Sequence, residues 1–145
     1  MEQKNTLTLG SLFDGSGGFP LGGLLAGVTP VWASEIEPFP IRVTTRRFPN
    51  MKHYGDISRM DGGKIEPVDI ITFGSPCTDM SIAGKRAGLD GAQSSLFYQA
   101  IRIIKEMRCA TNGRYPRWIC WENVIYALKY IRYIMDCKQL CKDLL

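Results

Sequence analysis

Short apolar segments alternate with amphipathic segments along most of the chain. The clearest apolar run covers residues 68–73 (VDIITF), between Pro67 and Gly74. Its β-branched composition is typical of a strand buried on both faces of a parallel sheet. Residues 6–13 alternate in polarity and predict another strand. Further strands are predicted at residues 31–34 and 118–121, and a short strand and turn at residues 53–57.

Helices are predicted between these strands. Residues 95–107 carry apolar side chains three or four positions apart, which is the spacing of an amphipathic helix. Residues 19–26 predict a helix that Gly27 can cap, and residues 38–48 predict one entered through Pro38. Strands that alternate with helices indicate a mostly parallel sheet with right-handed crossovers, so the predicted fold class is α/β.

Composition and charge are those of a soluble globular domain. The 145 residues include 45% hydrophobic and 22% charged side chains, enough for one domain with a core. No apolar run approaches the roughly 20 residues that span a bilayer. The polar N-terminus has no signal-peptide pattern and the five cysteines are unevenly spaced, so we expect free thiols in the cytoplasm. A formal net charge of +4 permits a nucleic-acid partner without requiring one.

A glycine-rich turn, residues 13–19 (FDGSGGF), joins the first strand to the first helix. Gly15, Gly17 and Gly18 let the backbone approach a ligand closely, and the helix N-terminus offers free N–H groups. Glu35 ends the next strand, about 20 residues on, where an acid commonly binds ribose hydroxyls. The Gly-x-Gly-Gly spacing differs from the dinucleotide fingerprint. The alternative interpretation is a tight turn with a solvated Glu.

Asp56 ends the third predicted strand at the same edge of the sheet. Its carboxylate can accept a hydrogen bond from an adenine amino group. A turn-forming Asp after Gly55 is the alternative.

A Pro-Cys step follows the most buried predicted strand. Pro76 ends the strand because it has no N–H to donate, which places the Cys77 thiol at the carboxyl edge of the sheet. Glu122 leaves the strand at 118–121 toward the same edge, so we expect the acid and the thiol to face one cleft. The alternative for Glu122 is a surface acid at a strand end.

The remaining cysteines do not form a recognisable site. No pattern of Cys and His ligands completes a zinc site. His53 is the single histidine and has no local signature of a Cys-His protease. We therefore interpret the other thiols as small buried side chains or passive surface groups: Cys109, Cys120, Cys137 and Cys141.

The ordered set of motifs resembles the DNA (cytosine-5)-methyltransferases that use S-adenosylmethionine. The order and approximate spacing of the motifs agree over residues 7–124. Their residues are similar to those of family members encoded by bacteriophages and prophages. The segments that carry the resemblance are residues 13–19, Glu35-Ile36, Asp56-Ile57, Ser75-Pro76-Cys77, Ser94-Ser95-Leu96-Phe97 and Glu122-Asn123-Val124.

The resemblance implies a Rossmann-like methyltransferase fold, a three-layer sandwich, and S-adenosylmethionine as cofactor. It implies double-stranded DNA as the partner, with a cytosine flipped out of the stack, and a role such as restriction-modification. Cys77 would add to carbon 6 of the cytosine, and Glu122 would hydrogen-bond ring nitrogen 3 and the exocyclic amine. The implied cofactor-binding residues are Phe13, Gly15, Ser16, Gly17, Gly18, Glu35, Ile36, Asp56, Ile57, Pro76 and Leu96.

A basic pair lies between the Pro-Cys step and the next predicted helix. Lys85 and Arg86 are expected to contact DNA phosphates from a loop that closes over the substrate. The alternative is a solvated loop without a partner.

The chain departs from the family pattern in three places. Thr78 stands where the family usually has Gln, residues 125–145 predict an atypical helical tail, and no target-recognition domain follows. We therefore expect residues 1–124 to be the N-terminal part of a C-terminally truncated catalytic domain, with little or no methyl transfer alone. Two alternatives are an S-adenosylmethionine-binding remnant and one half of a split methyltransferase, with a second chain supplying the missing motifs. A third is a nucleotide-cofactor oxidoreductase.

Overall fold

The computed structural model describes residues 6–74 and 94–123 of the chain. Strands and helices alternate through both ranges. The strands are β1 (Thr8–Leu12), β2 (Thr29–Ser34), β3 (Lys52–His53), β4 (Ile70–Phe73) and β5 (Trp118–Trp121). The helices are α1 (Gly18–Leu25), α2 (Pro38–Arg47) and α3 (Ser94–Ala110), with a 3₁₀ turn at Ile57–Arg59.

The five strands form one sheet in the order β3-β2-β1-β4-β5, and every neighbouring pair is parallel. The strand order reverses between β1 and β4, so the carboxyl ends of these two strands form a topological switch point. Ligands of open α/β sheets bind at such points. This confirms the α/β fold with a parallel sheet.

The central strand β1 differs from the predicted alternation. Residues Leu9 to Leu12 are all buried, because β1 lies between β2 and β4 and is covered on both faces. The short strand and turn predicted at 53–57 are present, but the strand ends at His53 and not at Asp56. β3 holds only Lys52 and His53, and the chain then turns through Asp56 into the 3₁₀ turn.

Helix α3 packs its apolar stripe against the sheet, as its periodicity predicts. The buried side chains of α3 are Phe97, Ala100, Ile103, Ile104 and Met107, and they join Leu12, Trp32, Ile71 and Phe73 in one core cluster. Aromatic rings close the carboxyl end of this core, because Trp121 stacks on Phe73 at 6.1 Å and contacts Phe97 at 4.7 Å between ring centroids.

The Trp32 side chain packs against the neighbouring strand β1. Its indole lies directly against the backbone of Gly10 on β1, where a side chain of any size would overlap the ring. The indole N–H donates to the Glu66 carbonyl at 2.8 Å. Among the described residues, none of the helices combines the length and the apolar character needed to cross a membrane.

Candidate active site

Five strand ends present chemistry-bearing residues along the carboxyl edge of the sheet. In sheet order these are Asp56 after β3, Glu35 after β2, the turn beginning at Phe13 after β1, Gly74 after β4 and Glu122 after β5. The arrangement follows from the topology, because all strands run in the same direction and their carboxyl ends meet at one edge.

A cavity of about 290 Å³ opens at this edge. Its lining is mostly apolar, with carboxylates from two strand ends, which is typical of a small-molecule site. The lining residues are Phe13, Ser34, Glu35, Ile36, Glu37, Asp56, Ile57, Gly74 and Leu96. The structure thus brings together six residues singled out by the sequence, and adds Ser34, Glu37 and Gly74, which sequence reasoning missed although each neighbours a predicted residue.

The Glu35 carboxylate is oriented by three backbone amides. Oε2 accepts from the Gly15 N–H at 2.8 Å, while Oε1 accepts from the N–H groups of Ile36 at 2.8 Å and Glu37 at 3.0 Å. A carboxylate has about four acceptor positions, so capacity for a ligand hydroxyl remains. The geometry also joins the turns after β1 and β2 into one wall.

The turn after β1 is tightly wound. Gly17 has a left-handed φ of 85°, and its amide donates to the Asp14 carbonyl at 3.2 Å. A Cβ on Gly17 would lie 2.8 Å from Cγ2 of Thr44 on α2. Gly15, Ser16, Gly17 and Gly18 therefore form the turn beside the cavity rather than its lining. Ser16 and Gly18 are exposed.

Asp14 is a buried acid that sequence reasoning missed. It is 5% exposed, and neither carboxylate oxygen has a hydrogen-bond partner within the described chain. Burial, helped by the nearby charge of Glu35, raises the pKa of Asp14 to about 6. The Ser11 hydroxyl opposes the shift but does not reach hydrogen-bond geometry. The only sequence signal was an acid placed between the buried strand and the first glycine.

Asp56 caps the 3₁₀ turn that follows it. Oδ1 accepts from the Ser58 N–H at 2.8 Å, and this bond lowers the pKa of Asp56. The carboxylate is exposed and ionised at neutral pH. Ile57, the next residue, is buried and lines the cavity.

Glu122 lies over the end of β4. Its N–H donates to the Phe73 carbonyl at 3.0 Å, and a Cβ on Gly74 would lie 3.1 Å from its Oε2. The Glu122 carboxylate is thus exposed beside the last described residue before the Pro-Cys step. Pro76, Cys77, Lys85 and Arg86 lie outside the described residues.

His53 contacts α2. Its Nε2 lies 3.2 Å from the Thr44 hydroxyl, and burial lowers the pKa of the imidazole. Cys109 and Cys120 are exposed free thiols. In residues 6–74 and 94–123 no three His, Cys, Asp or Glu side chains converge as metal ligands.

Comparison with known proteins identifies the sequence relatives of the chain. A family model described as C-5 cytosine-specific DNA methylase matches residues 7–134. The Type II methyltransferase M2.BsuMI of Bacillus subtilis is 34% identical over 122 residues, which are 84% of this chain and 30% of that protein. A protein named DNA N-6-adenine-methyltransferase, from Escherichia phage P1, is 35% identical over 104 residues, 68% of this chain and 14% of that protein.

The fold is also that of solved methyltransferases. The crystal structure of the S. pombe Dnmt2 methyltransferase superposes with a TM-score of 0.65 at 20% identity, covering 94% of this chain and 42% of that one. The chain spans under a third of the length of the two curated relatives named above.

Proposed function

The chain belongs to the C-5 cytosine-specific DNA methylase family, and we propose that it carries the cofactor-binding edge and the reactive residues of a DNA (cytosine-5)-methyltransferase. The observation that carries the proposal is the order of groups along one sheet edge: Asp56, Glu35, the Phe13 turn, Gly74 and Glu122. The groups proposed to bind the nucleoside follow β3, β2 and β1, and the group proposed to face the base follows β5. The two sets lie on either side of the switch point between β1 and β4.

The residues of the cavity fit S-adenosylmethionine. Asp56 would accept from the adenine amino group, Ile36, Ile57 and Leu96 would contact the ring, and Glu35 would bind the ribose hydroxyls. The three amides that orient Glu35 support this role, because an acid already fixed in place loses little entropy when it binds a hydroxyl. Bound there, the cofactor supplies an electrophilic methyl group on a positively charged sulfur.

Cys77 is the proposed nucleophile. It follows Gly74 by three residues, so chain connectivity keeps its Cα within about 11 Å of the Gly74 Cα, at the edge where Glu122 lies. The thiolate would add to carbon 6 of a flipped-out cytosine and make carbon 5 nucleophilic. After methylation, loss of the carbon 5 proton and breakage of the carbon 6–sulfur bond regenerate Cys77.

Glu122 would stabilise the cytosine during this addition. Negative charge develops on ring nitrogen 3 when the thiolate adds, and a carboxyl group hydrogen-bonded to that nitrogen and to the exocyclic amine lowers the barrier. Its exposure beside Gly74 leaves the Glu122 carboxyl group open to a base. Lys85 and Arg86 are proposed to contact DNA phosphates.

Calorimetry tests the cofactor part of the proposal. The 145-residue chain should bind S-adenosylhomocysteine and not NAD, and it should do so equally well as the Cys77→Ser variant. Binding without methyl transfer would identify the chain as a cofactor-binding remnant or as one half of a split enzyme. Failure to bind S-adenosylhomocysteine would refute the proposal.

Labelled methyl transfer to duplex DNA tests the reaction. Any label incorporated should reside in 5-methylcytosine, disappear in Cys77→Ser and persist in Cys120→Ser, which removes an exposed thiol on β5. If label is incorporated, DNA containing 5-fluorocytosine should trap the chain covalently, because the fluorine that replaces the carbon 5 hydrogen cannot be removed by a base. Label in N6-methyladenine would assign the chain the base named for the phage P1 relative instead.

A further inference from the structure

Arg102 on α3 holds both ends of the turn that carries Asp56 and Ile57. Its Nη2 donates to the Ile57 carbonyl at 2.7 Å, and its Nη1 donates to the Met60 carbonyl at 2.9 Å. Ile57 begins the 3₁₀ turn, and Met60 follows its last residue. One planar guanidinium therefore spans the whole turn, which a Lys ammonium cannot do.

The guanidinium is itself fixed on the helix. Nη1 also donates to the two carboxylate oxygens of Glu106 at 2.9 and 3.0 Å, and Nε donates to Oε1 of Gln99 at 2.8 Å. Glu106 Oε2 accepts in addition from the Gly62 N–H at 2.7 Å, which ties down the chain just past the turn. Because α3 is packed in the core, the hydrogen bonds of Arg102 hold the turn in a fixed position relative to the core.

The turn sets the geometry of the adenine end of the cavity. Asp56 is its N-cap, through the bond from the Ser58 N–H, and Ile57 is its first residue. Both residues line the cavity, whereas Arg102 does not. The placement of the Asp56 carboxylate thus depends on a turn that Arg102 holds from outside the cavity.

We propose that Arg102 is a positioning residue for adenine recognition, acting through the Ile57 and Met60 carbonyls to aim Asp56 at the exocyclic amino group. The inference rests on the proposed function, because it needs an adenosyl ligand in the cavity. Asp56 distinguishes adenine from hypoxanthine, since hypoxanthine presents a carbonyl oxygen where adenine presents an amine. That discrimination is what Arg102 protects.

The test compares S-adenosylhomocysteine with its inosine counterpart by calorimetry. The ratio of the two dissociation constants is measured for the natural chain and for Arg102→Met, Arg102→Lys and Arg108→Met. Arg108 is a matched control, because it lies on the same helix and donates from Nη1 to the Pro116 carbonyl at 2.9 Å. Its bond lies at the far end of α3 from the cavity.

In Arg102→Met we expect the adenine preference to fall by about tenfold, the value of one hydrogen bond to a charged group. Arg102→Lys should fall between this variant and the natural chain, and Arg108→Met should keep the natural ratio even where it lowers stability. If Arg102→Met weakens both ligands by the same factor, or leaves the ratio unchanged, Arg102 is only structural and the inference is wrong. Should Arg102→Met not fold, Arg102→Lys and Glu106→Gln give the same two outcomes. A natural chain that binds neither ligand overturns the proposed function itself.

Discussion

The Glu35 carboxylate, at the end of β2, accepts a 2.8 Å hydrogen bond from the Gly15 N–H in the turn after β1. The two residues are 20 positions apart in the chain, and the bond joins the carboxyl ends of the neighbouring strands β1 and β2. One acid therefore both joins two turns into one wall of the cavity and lines that cavity. Changes to this residue should affect binding more than folding.

Replacement of Glu35 by Gln should weaken S-adenosylhomocysteine binding by about ten- to a hundredfold. Gln places an NH₂ group where one carboxylate oxygen accepts from backbone N–H groups. The variant must therefore lose either a hydrogen bond from a backbone N–H or one from a ribose hydroxyl. Calorimetry measures the affinity, and Glu66→Gln, which neutralises an acid outside the cavity lining, is the control. Equal affinities in the two variants would contradict the role given to Glu35.

Replacement of Asp14 by Asn should change how stability depends on pH. The pKa of Asp14 is about 6 in the folded chain and 3.8 in the reference state, so the folded chain holds this proton more tightly. Its contribution to stability is therefore full below pH 3.8 and is lost as the pH rises through 6, up to about 3 kcal/mol. Asp14→Asn should lack that loss.

Urea denaturation at pH 4 and pH 7.5 measures the effect of Asp14→Asn. Relative to the natural chain, the variant should gain stability between the two pH values. Asp61→Asn is the control, because the pKa of Asp61 is lowered by its bond to Lys64 and its contribution has the opposite sign. A constant difference between Asp14→Asn and the natural chain would show that Asp14 titrates normally.

Local patterns were sufficient to predict most of the fold. The run at 68–73 and the stripe at 95–107 correspond to β4 and α3, and the strand at 118–121 has the predicted bounds. β3 was predicted too long because Asp56 turns the chain by accepting from Ser58, a side-chain cap that overrides strand propensity. The burial of β1 on both faces depends on its neighbours in the sheet.

The candidate site likewise contains residues that local sequence patterns predict and residues that they do not. Glu35 and Asp56 were predicted because each follows a strand at a spacing that topology converts into proximity. Asp14 and Arg102 were missed, because burial of the Asp14 carboxylate is a product of packing and the Arg102 bonds join residues 42 and 45 positions apart. No local pattern in one sequence contains such contacts.

Replacement of Gly10 by Ala should destabilise the chain by about 1–3 kcal/mol, the usual cost of overpacking. The added methyl would overlap the Trp32 indole, which is fully buried and held by its bond to the Glu66 carbonyl. Gly22→Ala on α1 is the matched control, because a Cβ there meets no atom within 4 Å. That variant should be more stable by about 0.4–1 kcal/mol. Urea denaturation measures both variants, and a Gly10→Ala chain as stable as Gly22→Ala would contradict the packing described for Trp32.

Two adjacent glycines separate the structural and ligand-facing roles of the turn after β1. Gly17→Ala should lower stability by about 1–3 kcal/mol, because it combines a left-handed φ of 85° with a Cβ 2.8 Å from Cγ2 of Thr44. Gly18→Ala should leave folding intact, because Gly18 is helical and its Cβ would meet no atom within 4 Å. Any loss of S-adenosylhomocysteine affinity in Gly18→Ala would then report a ligand that approaches the N-terminus of α1. Denaturation and calorimetry on both variants make the comparison. Equal stability of the two variants would show that Thr44 does not constrain the turn.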